Sequence, residues 1–161
     1  MQVTFRKFEK MDIPNKVKWI NDTRNNTYLH YDLPLEVEKT ERWYELNKDR
    51  ADRYDATILC DGNPVGLIGL LSISDGTAEY YVSMGEQDYK GKGIAKEASR
   101  LLLEYAQHDL NLISVYLYTE IDNIAAQKLF EKIGFEKKYV AEKSANNRGK
   151  LVDCYFYEYV F

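Results

Sequence analysis

Apolar and polar positions recur along the chain with two periods, and the changes of period divide it into eleven segments. Val3 and Phe5 alternate with Thr4 and Arg6, the pattern of a half-buried strand. After Asp12, a residue suited to an N-cap, Ile13, Val17 and Ile20 follow helical spacing, with Pro14 tolerated in the first turn. The stretch from Asp22 to Leu33 is polar, turn-rich and interleaved with aromatics, so a loop is expected. Pro34 is expected to open a second helix, with Val37, Thr40, Trp43 and Tyr44 on one face. Three strands follow in quick succession: YDATILC, VGLIGLLSIS and TAEYYVSMG. They are separated by the turns DGNP and DG, so an antiparallel meander is predicted. Ile94, Ala98, Leu101, Leu102 and Tyr105 then share one helical face. The nearly continuous apolar run from Leu112 to Thr119 predicts a strand buried on both faces. Asp122 or Asn123 can cap a fourth helix that Gly134 stops, and two strands around SANNRG complete the chain. Strands that reach the next strand through a helix require some parallel pairing. The expected fold class is therefore α/β: a mixed, mostly antiparallel central sheet flanked by about four helices.

Composition narrows the chemistry. A chain of 161 residues without a linker or repeat fits a single domain spanning 1–161. The net charge of −4 argues against a general nucleic-acid binder, which needs basic excess to displace counterions. Cys60 and Cys154 each fall in an expected strand with no C-x-x-C or Cys/His cluster, so no metal is expected and reduced, buried thiols are. The N-terminal segment lacks the apolar core of a secretory signal, and VGLIGLL is far too short to span a bilayer. The expectation is a soluble, cytoplasmic domain with no membrane or nucleic-acid partner.

The candidate chemistry lies in DYKGKGIAKEASRLLLEYA, where a glycine-rich turn enters a helix. A nucleotide-hydrolysing P-loop fails here. The nearest match places five residues between Gly85 and Gly91 instead of four, and Gly93 stands where a hydroxyl is required. A dinucleotide fingerprint fails as well, because Lys96 replaces its third glycine and the turn follows a meander. The pattern [RQ]-x-x-G-x-[GA] fits at Lys90, Gly93 and Ala95, with lysine in the first place. Its glycines let consecutive backbone N–H groups converge on a diphosphate, helped by the positive end of the helix. Lys90 and Lys92 could neutralise a phosphate from outside.

With NIAAQKLFEKIGF one strand further on, this segment resembles the GNAT superfamily of acetyl-CoA-dependent N-acetyltransferases. The first motif resembles that family's pyrophosphate-binding turn, and the second its following helix, N-x-x-A-x-x-x-[YF]-x-K-x-G-F. The order of elements matches throughout. Trp19, Asn21, Pro34 and the Trp43–Tyr44 pair are similar to the branch containing ribosomal-protein N-terminal, spermidine and aminosugar acetyltransferases. The resemblance implies direct acetyl transfer from acetyl-CoA to a primary amine, with no metal. The acceptor would be a small molecule (aminosugar or polyamine, with an aminosugar favoured) or a protein N-terminus. It also implies a coenzyme site at Ser83 and Met84 for the carbonyl and pantetheine. Lys90, Gly91, Lys92, Gly93, Ile94 and Ala95 would hold the pyrophosphate, and Asn123 would support the coenzyme arm. Glu79 becomes the candidate general base, and His30 and Tyr31 the candidate acceptor contacts. Phe130 stands where many relatives carry a proton-donating tyrosine, which leaves Tyr116, Tyr118 and Tyr139 as substitutes. A catalytically weak CoA-binding sensor or scaffold is the alternative, and a homodimer is possible.

Overall fold

The computed structural model describes residues 1–161 and contains the eleven expected segments in the expected order, as seven strands and four helices. They are β1 (Val3–Lys7), α1 (Ile13–Asn21), α2 (Val37–Asn47), β2 (Tyr54–Cys60), β3 (Asn63–Ser74), β4 (Thr77–Met84), α3 (Ile94–His108), β5 (Ser114–Glu120), α4 (Ile124–Ile133), β6 (Glu136–Asn147) and β7 (Lys150–Val160). All seven strands form one sheet in the order β1-β2-β3-β4-β5-β7-β6. Every neighbouring pair is antiparallel except β4 and β5, which run parallel.

One face of the sheet carries the main core. Ile68, Leu70, Ala78, Tyr80, Val115 and Leu117 pack there against Ile94, Ala98 and Leu102 of α3 and Phe130 of α4. Phe130 meets Tyr80 edge-on and also packs on Phe135 and Tyr157, so its position is structural. A smaller apolar cluster, Phe8, Ile13, Trp19 and Leu67, lies under α1 and α2 on the opposite face. Cys60 and Cys154 are buried free thiols, as expected. No helix is long and apolar enough to cross a membrane.

Three local expectations are corrected. The second helix begins at Val37, not at Pro34. Asn21 clamps Leu35, donating to its carbonyl at 2.9 Å and accepting from its N–H at 2.6 Å. That clamp and the extended N-cap Glu36 delay the helical turn. The fifth strand starts at Ser114 and is not buried on both faces, for Tyr118 is 44% exposed. The cause is the parallel pairing of β4 with β5. It covers only Thr77 to Glu79 against Ser114 to Tyr116, after which the strands separate. Tyr118 therefore faces an opening where a neighbouring strand would have covered it.

Candidate active site

The separation of β4 from β5 creates a cavity of about 620 Å³, roofed by α1, α2 and the loop between them. Its floor is the β4 stretch from Glu79 to Ser83, and its far wall is β5 from Leu117 to Glu120. The β3–β4 register runs unbroken from Leu71–Glu79 to Gly66–Met84, so alternation along β4 is strict. Ala78 and Tyr80 point into the α3 core, which places Glu79 and Tyr81 on the cavity face. The bulge that could have reversed them lies at Leu71 to Ser74, in β3.

Glu79 is half-buried and forms no ion pair or hydrogen bond with protein, and burial raises its pKa. Tyr116 lies beside it in register on β5. Tyr116, Tyr118, Phe156 and Tyr139 form a continuous aromatic ladder next to this carboxylate, and of its three tyrosines Tyr118 lines the cavity.

Where β4 leaves β5, one edge of its backbone is unpaired. The Gly85 N–H is committed to the Val65 carbonyl at 2.8 Å. By the alternation of an antiparallel ladder, Val82 and Met84 then turn their N–H groups toward the opening. Of the expected pair Ser83 and Met84, Met84 is thus the residue with a free donor, and Ser83 lines the cavity. Gly85 allows Trp19 to sit directly on the strand, since a Cβ there would meet the indole at 2.2 Å. The Trp19 indole N–H donates to Glu86 at 2.5 Å, pinning α1 to the end of β4.

The glycine turn follows directly. Gly91 and Gly93 have φ of +76° and +80°, left-handed values that a side chain rarely adopts, and a Cβ on either would meet nothing within 4 Å. Gly93 is the N-cap of α3, and no side chain caps the helix. The first N–H of this segment to find a partner is that of Glu97, bonded to the Gly93 carbonyl at 3.1 Å. Six consecutive N–H groups, Gly91 through Lys96, donate to no protein acceptor. Unbonded within the protein and at a helix N-terminus, they suit a diphosphate. Ile94 contributes only its backbone, because its side chain is core, while Ala95 is half-buried and Lys92 exposed. Lys90 is turned away: its ammonium donates to the Asn25 side chain, which also holds the Trp19 and Gly85 carbonyls. Asn123 is the N-cap of α4, accepting from the Ala126 N–H at 3.3 Å; the residue lines the cavity, and its amide nitrogen donates to no protein group.

His30 does not stand free. Its Nε2 lies 2.8 Å from Glu120, which also accepts from Asn147 at 2.7 Å. Asn147 and Arg148, at the tip of the β6–β7 hairpin, bond the carbonyls of Thr27, Leu29 and Asn26. The histidine thus helps fasten the loop that closes the cavity. His30 and Tyr31 both line the cavity.

Several lining groups lay outside the sequence reading. Asp55 of β2 accepts from both ends of the Arg53 fork, at 2.8 and 3.0 Å, and from the Tyr81 hydroxyl at 2.6 Å. Tyr81 reaches Asp55 by lying across Gly69 of the intervening strand, where a Cβ would meet the ring at 2.6 Å. Lys16 of α1 is buried, 7% exposed, with its ammonium 3.4 Å from the centre of the Trp43 ring. Burial lowers its pKa to about 8. Trp43, expected as helix packing, packs on Phe8 and also faces the cavity. No three His, Cys, Asp or Glu side chains converge as a metal site would need.

The family description "Acetyltransferase (GNAT) domain" matches residues 2–136. Spermidine N(1)-acetyltransferase of Escherichia coli K12 is 28% identical over 140 residues, covering 83% of this chain and 72% of the relative. L-amino acid N-acetyltransferase AaaT of the same organism is 26% identical over 117 residues, covering 71% and 72%. The crystal structure of Vibrio cholerae spermidine N-acetyltransferase in complex with CoA and spermine superposes with a TM-score of 0.90 over 99% of this chain and 95% of that one, at 23% identity, which establishes the common fold. An opened β4–β5 edge, an unbonded row of N–H groups at the head of α3 and a match through residue 136 agree, and the chain belongs to the GNAT family of N-acetyltransferases.

Proposed function

We propose that this protein transfers acetyl from acetyl-CoA directly to a primary amine of a small molecule bound in the cavity under α1 and α2. The observation that carries this reading is the continuity of three features: the unbonded N–H groups of Gly91 to Lys96, the open backbone edge at Val82 and Met84, and the unpaired Glu79 carboxylate. The N–H row suits the coenzyme pyrophosphate, and the open edge suits the amide groups of its pantetheine arm. Met84 offers a donor to polarise the thioester carbonyl, where negative charge develops as the amine attacks.

An alkylammonium has a pKa of about 10.4, so it must lose a proton before its nitrogen can form the new C–N bond. Glu79 accepts that proton, directly or through water, and its raised pKa brings it closer to the operating range of a base. After the C–N bond forms the nitrogen sheds a second proton, the C–S bond breaks, and the thiolate takes up a proton in its place. Phe130 cannot donate one. Tyr118, the tyrosine of the ladder that lines the cavity, is our candidate for that role. Gly91, Lys92, Gly93, Ile94, Ala95 and Asn123 position the coenzyme in this scheme, whereas Lys90 acts through the Asn25 network.

Kinship nominates two acceptor classes, polyamines from the spermidine enzymes and amino acids from AaaT. A cavity of about 620 Å³ suits a small molecule better than a folded protein's N-terminus. Self-association is part of the reading, supported by the exposed Tyr139, Val140, Leu151 and Val160 on the outer strands. The test is thiol release from acetyl-CoA across a panel of primary amines, with CoA affinity measured in parallel. Turnover on at least one amine is expected. Tight CoA binding with no turnover on any amine would instead assign a sensor or scaffold.

A further inference from the structure

The cavity is lined by seven ionisable side chains, and five of them already have ionisable partners. Arg53 and Asp55 form a bidentate pair, and His30 is bonded to Glu120. Lys39 at the rim is paired with Glu36 at 3.2 Å. Two remain: Glu79, with no protein partner, and Lys16, with none either. Asp55 acts on Lys16 only through space, opposed by Arg53: its oxygens are taken by Arg53 and Tyr81, and no direct ion pair to Lys16 forms within 4.0 Å.

An ammonium with 93% of its residue surface removed from water, and no acceptor, is a costly arrangement. Trp43, Phe8 and Tyr31 surround it with ring faces at 3.4, 5.6 and 5.9 Å, which offsets part of that cost and holds the side chain in place. The Tyr31 hydroxyl also has no protein partner, and both residues line the cavity. The two unpaired charges come from different parts of its lining. Glu79 is in register with Tyr116 of β5. Lys16 lies by Arg53, just before β2, and by Asp55 of β2, the residue that Tyr81 reaches across β3.

We propose that Lys16 and Tyr31 form an anion subsite on the β2 side of the acceptor cavity, so that the acceptor is a zwitterion whose amine faces Glu79 and whose carboxylate meets the Lys16 ammonium and the Tyr31 hydroxyl. This rests on the acetyl-transfer reading and names its substrate class. A carboxylate supplies the acceptor that Lys16 lacks, and the cation is preorganised for it. A polyamine would bring a second ammonium toward a fixed buried one, in surroundings where like charges repel strongly. The same cavity therefore selects against the acceptor that kinship with the spermidine enzymes suggests.

The experiment measures thiol release by the full chain from acetyl-CoA with β-alanine, propylamine and spermidine. β-Alanine and propylamine match in length, and one of them bears a carboxylate. The expected result is a kcat/KM for β-alanine about 10–100-fold above that for propylamine, the size of a charge-assisted contact, with spermidine at or below propylamine. In Lys16→Met that preference collapses toward unity, and Lys16→Arg restores part of it. Spermidine or propylamine preferred over β-alanine, or a preference unchanged in Lys16→Met, overturns the subsite while leaving acetyl transfer intact. If no amine turns over, acetyl transfer itself fails, and Trp43 fluorescence titrated with β-alanine decides the subsite alone. Binding to wild type that is lost in Lys16→Met supports it; equal binding, or none, overturns it.

Discussion

The two halves of the site are built from different material. The coenzyme side is backbone: six successive N–H groups from one turn and one helix end, shaped by Gly91 and Gly93. The acceptor side is side chain, assembled from Lys16 on α1, Tyr31 on the loop, Trp43 on α2, Arg53 and Asp55 beside and on β2, and Glu79 and Tyr81 on β4. A site made of contiguous backbone depends on where glycines fall and tolerates change in most side chains. One made of side chains from five segments can be retuned by single substitutions without disturbing the sheet. The donor is thereby constant across such a fold while the acceptor is free to vary.

This contrast can be broken first at Glu79. Glu79→Gln should lower kcat/KM about 100- to 10,000-fold if the carboxylate takes the amine's proton, and should leave CoA affinity near that of wild type. The pH profile sharpens the test. Burial raises the Glu79 pKa, so activity should fall as pH drops through a value above the ordinary glutamate range. That acidic limb should vanish in the Gln variant.

Gly93→Val comes next. At φ +80° a β-branched residue strains the backbone, and its side chain would occupy the space open to the phosphates. Coenzyme affinity should drop about 100-fold or more by calorimetry, with acceptor binding little changed.

Lys16→Met separates the cost of the buried cation from its use. The folded-state pKa of about 8 lies below the ordinary 10.5. Below about pH 8 both folded and unfolded chains hold the proton, and the folded state bears the full burial penalty. Between about 8 and 10.5 the folded lysine is deprotonated while the unfolded one is not, and wild-type stability rises with pH. The Met variant should therefore be more stable than wild type at pH 7, by at most about 3 kcal/mol, with the difference shrinking toward pH 10.5. Denaturant melts at two pH values would show it.

The smallest expected effect is that of Tyr81→Phe. It removes the bond to Asp55 while keeping the ring over Gly69, and should cost about 1–2 kcal/mol of stability with the Arg53–Asp55 pair preserved.

The same contrast explains what the sequence disclosed. Element order, the meander and the core face of α3 were legible because each follows from period and turn residues within a short window. The phosphate turn was legible for the same reason, since its glycines and first helical turn are contiguous. Glu79 could be named because it lies on the strand entering that turn, and its direction became fixed only once the bulge was located in β3. Lys16 gave no signal, because in sequence it is one more lysine in an amphipathic helix. Its meaning comes from Trp43, Asp55 and Tyr31, brought together only by the roof of the cavity. The fastening role of His30 was hidden for the opposite reason: its partner Glu120 is 90 residues away, on β5. Tyr81 needed Gly69 on the neighbouring strand, a pairing that no local pattern encodes.

The independence of the two halves is tested most directly by steady-state kinetics on wild type, Gly93→Val and Lys16→Met, varying acetyl-CoA and a carboxylate-bearing amine in turn. Gly93→Val should raise KM for acetyl-CoA and leave that for the amine near wild type, while Lys16→Met should do the reverse. Variants that shift both constants together, or a Gly93→Val protein with wild-type affinity for acetyl-CoA, would contradict the account.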